Sequence, residues 1–383
     1  MTSSILQDAR RIVVKLGSSL LIHQTSGRPQ QARFEALARD VRDLRAQGKS
    51  VILVSSGAVA LGRRALGLKS GKLRLEEKQA AAAAGQPLLM RAWADALAET
   101  GISCAQALLT FDDTERRRRW LNARATLETL LERGAVPVVN ENDTVATEEI
   151  RYGDNDRLAA RVAQMLSADC LILLSDIDGL YEADPRSNPE ARHIPEVRRL
   201  SAEVLSMAGG ANRAAGVGSG GMATKLEAAR IAMTAGCATA ILRGDAVAGD
   251  GGPIRALREG ARATWFIPEL SPATARRQWL LGALRPSGAF RIDDGAARAL
   301  RSGKSLLPAG LVAVSGRFER GDAVDVETAD GRVIARGLSA YSSEDAARLI
   351  GRNTSEIEAI LGYRGRPALI HVDDLALSSG EGD

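Results

Sequence analysis

Two lysines stand where a backbone loop could hold phosphate. Lys15 ends an apolar run and leads into the small-residue turn Leu16-Gly17-Ser18-Ser19. Lys225 closes a glycine-rich run, Gly216-Val217-Gly218-Ser219-Gly220-Gly221-Met222-Ala223-Thr224-Lys225, and a helical pattern begins there. Glycines let successive N–H groups turn toward an anion, a helix start adds the positive end of its dipole, and lysine supplies a mobile charge. Between the lysines lie Asn140-Glu141-Asn142-Asp143 and Gly153-Asp154-Asn155-Asp156, polar groups able to hold a small acid or a metal. Cations for phosphate set against carboxylates and amides suggest phosphoryl transfer.

Each feature has an ordinary alternative. A lysine at a strand end is often only solvated, Asx clusters favour turns, and a glycine run can be a linker. The glycine run leads straight into a good helix, however, which linkers rarely do. Gly303-Lys304-Ser305 and Gly48-Lys49-Ser50 end like a Walker A loop, but Arg298 and Asp43 stand where its first glycine belongs. Gly216, Gly218 and Gly221 spell a dinucleotide fingerprint, yet a helical pattern precedes them instead of a strand.

These residues must be positioned by regular elements. Apolar, β-branched runs at 11–16, 51–54, 136–139, 171–174 and 239–242 alternate with helical patterns at 31–47, 75–99, 121–132, 157–166 and 222–234. Continuous apolar strands alternating with helices predict an α/β three-layer sandwich with a mainly parallel sheet. Gly48, Gly101, Gly134 and Gly236 each sit just past a helical run as stops. In such sheets ligands bind beyond the carboxyl ends of the strands. Lys15, Ser55-Ser56-Gly57, Asn140–Asp143 and Ser175-Asp176 each follow a strand directly, so they converge on one edge.

Near residues 268–277 the pattern changes to short strands at 290–292, 311–315, 323–327 and 332–336, punctuated by turn residues. This predicts a large α/β domain over 8–266, a linker over 267–279, a small β-rich domain over 280–358 and a tail over 359–383. The 383 residues carry a net charge of +4, too slight to argue for nucleic acid alone. Cys104, Cys170 and Cys237 lie far apart, as buried thiols in a reducing compartment would. Only three histidines occur, which disfavours a His-ligated metal. No apolar stretch approaches the roughly 20 residues that span a bilayer, and no secretory leader is recognisable, so a cytoplasmic location is expected.

Read in order, Val13-Val14-Lys15-Leu16-Gly17-Ser18, Val54-Ser55-Ser56-Gly57-Ala58, Val138-Val139-Asn140-Glu141-Asn142-Asp143, Gly153-Asp154-Asn155-Asp156, Asp178-Gly179-Leu180-Tyr181 with Asp184-Pro185, and Gly218 through Lys225 resemble the amino acid kinase family. The paired Asx motifs and the added β domain resemble the branch that phosphorylates glutamate. The β domain is similar to a PUA module, centred on Arg291-Ile292-Asp293-Asp294-Gly295-Ala296 and Ser305-Leu306-Leu307-Pro308-Ala309-Gly310. The likeness covers about residues 8–375. Serine stands at Ser18, Ser55 and Ser175 where threonine is common, which keeps the hydroxyl.

The resemblance implies ATP-dependent phosphorylation of the side-chain carboxylate of L-glutamate to L-glutamyl 5-phosphate, the first step of proline biosynthesis. Glutamate titrates near 4.3, so this nucleophile is already ionised and needs no general base. By motif match Lys15 and Lys225 flank the transferring group and Asp156 orients them. Ser56, Asp143 and Asn155 hold glutamate. Lys15, Ser175, Asp176, Ser219, Gly220, Gly221, Met222, Ala223, Thr224 and Lys225 hold ATP. Mg2+ is held mainly by the phosphates, without dedicated protein ligands. Proline feedback inhibition and a homo-oligomer, dimer or tetramer, are also implied, and no membrane partner is. The rivals are a related kinase acting on another acid, or RNA binding through the PUA-like domain, which its mixed charges and few aromatics disfavour.

Overall fold

The computed structural model describes residues 2–69, 71–146, 155–207, 221–282 and 285–378. The chain divides into two compact units, Met1–Pro272 and Ala273–Asp383. In the first, the strands are β1 (Arg11–Leu16), β2 (Ser50–Ser55), β3 (Cys104–Leu109), β4 (Val136–Glu141), β5 (Cys170–Ser175), β6 (Leu180–Tyr181), β7 (His193–Ile194), β8 (Glu196–Val197), β9 (Ala238–Arg243) and β10 (Ala263–Phe266). Eight of them form one sheet in the order β3-β4-β2-β1-β5-β9-β10-β8. Pairing is parallel from β3 across to β9; β10 then runs antiparallel to β9 and β8 parallel to β10. β6 and β7 make a separate antiparallel pair.

Strands β1, β2, β4, β5 and β9 are buried on both faces, which is why they read as continuous apolar runs. Alternation along β1 sends Ile12, Val14 and Leu16 to one core and Val13 to the other. The first core takes Phe34 and Trp93, packed edge to face with centroids 4.7 Å apart, from helices Gln31–Ala46 and Leu75–Ala98. The second takes Leu158, Val162, Leu226 and Ala229 from helices Asn155–Met165 and Met222–Thr234. Lys15 shares the parity of Val13, so its side chain leaves the sheet on the side of those two helices.

Helices Ala58–Ala65 and Leu75–Ala98 meet backbone to backbone. A Cβ at Gly62 would lie 1.7 Å from the Ala81 carbonyl oxygen, and one at Gly85 would lie 1.8 Å from that of Ala58. The glycine stops at Gly48, Gly101, Gly134 and Gly236 all have φ between 74° and 77°. Cys170 and Cys237 are buried as expected, whereas Cys104 is only half-buried. Burial pushes the Cys170 thiol up to about 12.

The second unit holds a five-stranded sheet, ordered β12 (Leu311–Gly316), β11 (Gly288–Ile292), β13 (Ala323–Glu327), β14 (Val333–Leu338) and β15 (Leu375–Leu377). Its core contains Phe290, Ile292, Val324, Val326, Leu369 and Ile370. The segment read as a tail from residue 359 therefore supplies both core side chains and an edge strand, since β15 pairs with β14. Helix Pro272–Gly282 occupies much of the stretch read as a linker, with Ala275 and Leu280 buried.

Candidate functional site

The carboxyl ends of β1, β2, β4 and β5 open into one cleft of about 1160 Å³. Lys15, Ser56, Asp143, Asn155, Ser175, Asp176 and Lys225, expected from the sequence to act together, all line it. Asp156 lies beneath its floor. Thr224 reaches that aspartate, and Gly221 precedes the first turn of helix Met222–Thr234, to which Met222 and Ala223 belong. Ser219 and Gly220 fall outside the described residues.

Asp156 is fully buried and bridges both lysines: Lys15 Nζ is 2.5 Å from Oδ1, and Lys225 Nζ is 3.1 Å from Oδ2. The Thr224 hydroxyl also donates to Oδ2 at 3.0 Å. Burial alone would raise the Asp156 carboxyl. The charges and hydrogen bonds of Lys15 and Lys225 outweigh it and hold the group below the ordinary carboxylate range. Each lysine is 5% exposed, so two cations share one anion away from bulk water. A buried ion pair adds little net stability. The cluster makes physical sense as a receptor for incoming negative charge.

One flank carries amides and acids. Asn155 Nδ2 donates to Ser56 Oγ at 2.9 Å and to Asn140 Oδ1 at 2.8 Å. Asp143 follows β4 on the same side. Gly57, at φ 122°, turns the chain from β2 into helix Ala58–Ala65, and a Cβ there would lie 3.1 Å from the Ile22 side chain. The opposite flank is carried by β5. Ser175 Oγ donates to Asp176 Oδ1 at 3.1 Å, and Arg186 donates to Oδ2 at 2.7 Å. Burial opposes ionisation of Asp176, but its hydrogen bonds and the charges of Arg186 and Lys225 leave its carboxyl below the ordinary value.

The cleft also takes in residues that sequence reasoning passed over. Arg33 and the 23–27 turn contribute, as do Arg243 and Asp245, which are joined by two hydrogen bonds of 2.8 and 2.7 Å. A polar pair following the apolar run of β9 was the available signal. The carboxylates of Asp143 and Asp176 are hard oxygen donors of the kind Mg2+ takes, so a magnesium ion arriving on nucleotide phosphates fits this cleft.

Comparison with known proteins matches residues 10–243 to the amino acid kinase family and residues 288–361 to the PUA domain. The chain is 58% identical over 374 residues to "Glutamate 5-kinase" of Paramagnetospirillum magneticum, covering 98% of this chain and 99% of that one. It is 60% identical over 370 residues to the protein of that name from Caulobacter vibrioides, with 97% of each covered. For that of Rhodospirillum rubrum, identity is 57% over 367 residues, with 96% of each covered.

Proposed function

The chain belongs to the amino acid kinase family, and from that premise we infer that it transfers the γ-phosphoryl group of ATP to the side-chain carboxylate of L-glutamate. This is the glutamate 5-kinase reaction, which opens proline biosynthesis. The observation that carries the reading is the buried Lys15–Asp156–Lys225 bridge at the floor of the cleft, with amides and Asp143 on one flank and Ser175-Asp176 on the other.

The step needs a carboxylate oxygen in line with the γ-phosphorus: the new O–P bond forms as the bond to the β,γ-bridging oxygen breaks, and ADP leaves with the electron pair. No proton moves. The protein's task is therefore positioning and charge neutralisation. In this reading Lys15 and Lys225 release part of their hold on Asp156 to meet the phosphoryl oxygens, and Asp156 keeps both ammonium groups aimed. Ser56, Asn155 and Asp143 hold glutamate, with Asp143 facing its α-ammonium. Ser175, Asp176 and residues 219–225 hold the nucleotide. Mg2+, when bound with ATP, would shield phosphate charge, with Asp143 and Asp176 within the set of groups that could contact it or its water. Proline feedback inhibition, a dimer or tetramer, and a cytoplasmic setting belong to the same reading. Among the described residues no helix is long and apolar enough to cross a membrane.

The test is a hydroxamate assay, in which hydroxylamine traps an acyl phosphate. Hydroxamate forming only with glutamate, ATP and Mg2+ together is expected. ADP release without hydroxamate, or equal product from N-acetylglutamate or aspartate, would overturn the substrate assignment.

A further inference from the structure

Four side-chain amides form a line that begins in the cleft and ends at the surface. Asn155 and Asn140 line the cleft; Gln86 and Gln106 do not. The first three are buried, and Gln106, on the edge strand β3, is exposed. Asn155 Nδ2 donates to Asn140 Oδ1 at 2.8 Å, Asn140 Nδ2 to Gln86 Oε1 at 2.9 Å, and Gln86 Nε2 to Gln106 Oε1 at 3.1 Å.

The two ends of an amide have nearly the same shape, so only its partners decide which way it faces. Here two backbone groups set the direction. The Glu141 N–H can only donate, and it donates to Asn140 Oδ1 at 2.9 Å. The Ser55 carbonyl can only accept, and it accepts from Asn155 Nδ2 at 3.2 Å. Asn140 must then turn its Nδ2 to Gln86, and Gln86 must answer with Oε1. At the cleft end, Nδ2 of Asn155 is turned inward, which leaves Oδ1 as the polar atom for a ligand.

Glutamate offers a single kind of donor, its α-ammonium, since both carboxylates only accept. We propose that Gln86, backed by Gln106, is a positioning residue: it anchors Asn140 and so helps the two backbone groups hold the Asn155 carbonyl toward the substrate's α-ammonium. A flipped Asn155 would set donor against donor. The proposal rests on the glutamate reading above, and wild-type enzyme without glutamate-dependent hydroxamate would end that reading first.

The test compares Gln86→Leu with wild type, using glutarate, which is glutamate without its amino group, as a competing ligand. Gln86→Leu should lower kcat/KM for glutamate by at least about tenfold, the factor a lost hydrogen bond near 1.4 kcal/mol gives. ATP KM and glutarate inhibition should stay within about twofold, a split that general loosening of the site would not produce. Equal weakening of glutamate and glutarate, or no change in a folded variant, overturns the proposal. If Gln86→Leu does not fold, exposed Gln106 offers the second arm. Gln106→Arg, with donors only, should weaken glutamate, and Gln106→Glu, with acceptors only, should not; equal behaviour overturns it.

Discussion

Asp156 holds two buried lysines apart and in place, and the three residues answer differently to substitution. Lys15→Ala or Lys225→Ala should lower kcat by about 10²–10³, the usual cost of losing one group that stabilises transition-state charge, with a much smaller rise in glutamate KM. Asp143→Ala should do the reverse and raise glutamate KM while ATP KM holds. Steady-state kinetics in both substrates check the pair, and near-normal kcat in a lysine variant removes that lysine from the chemistry. Asp156 also predicts a pH effect. Its folded value lies below its unfolded one, so it contributes stability above the unfolded pKa and loses it as pH falls through the folded pKa. Asp156→Asn should therefore be less stable at pH 7 by about 3–5 kcal/mol, the cost of breaking a buried pair, and flatter below about pH 4. Urea titrations between pH 7 and 3 show both. The sequence made Lys15, Lys225 and Asp156 visible as types. That Asp156 orients both lysines came only from the family resemblance; spacing alone could not show it, because the bridge joins Asp156 to Lys225 across 69 positions and to Lys15 through strand parity.

The elements carry their own constraint where helices Ala58–Ala65 and Leu75–Ala98 touch. Gly62→Ala or Gly85→Ala must drive two backbones apart, an overpacking that costs about 1–3 kcal/mol or more. The displaced pieces include the helix that starts at Gly57 and the segment that bears Gln86. Both variants should lose thermal stability and glutamate affinity together, by melting and by KM; a variant as stable and active as wild type would mean the contact relaxes freely. The strands of the parallel sheet were legible because burial on both faces makes them continuous apolar runs. β3 was not, since Cys104-Ala105-Gln106-Ala107 mixes small and polar side chains on an edge with Gln106 exposed. Gln86 was hidden for a related reason: one polar residue in an alanine-rich helix reads as a solvent face.

At the scale of the whole molecule, each unit carries a core of its own. The cleft belongs to Met1–Pro272, so substrates stabilise that unit by mass action. ATP and glutamate, each at about 100 times Kd, should add about 2.7 kcal/mol apiece. Hydrogen exchange in helices Asn155–Met165 and Met222–Thr234 should slow accordingly, and unchanged exchange at saturation would place the ligands elsewhere. The second unit was legible in its first four strands, where turn residues mark each reversal. Its end was not, because Leu369, Ile370 and β15 are short apolar pieces in a polar stretch and gain meaning only beside β14.

The Lys15–Asp156–Lys225 bridge also bears on a rival acceptor, water. Water must surrender a proton to attack phosphorus; glutamate's carboxylate need not. Asp156, held below the usual carboxylate range between two cations, is a poor proton acceptor. A floor built this way favours the acceptor that arrives already charged.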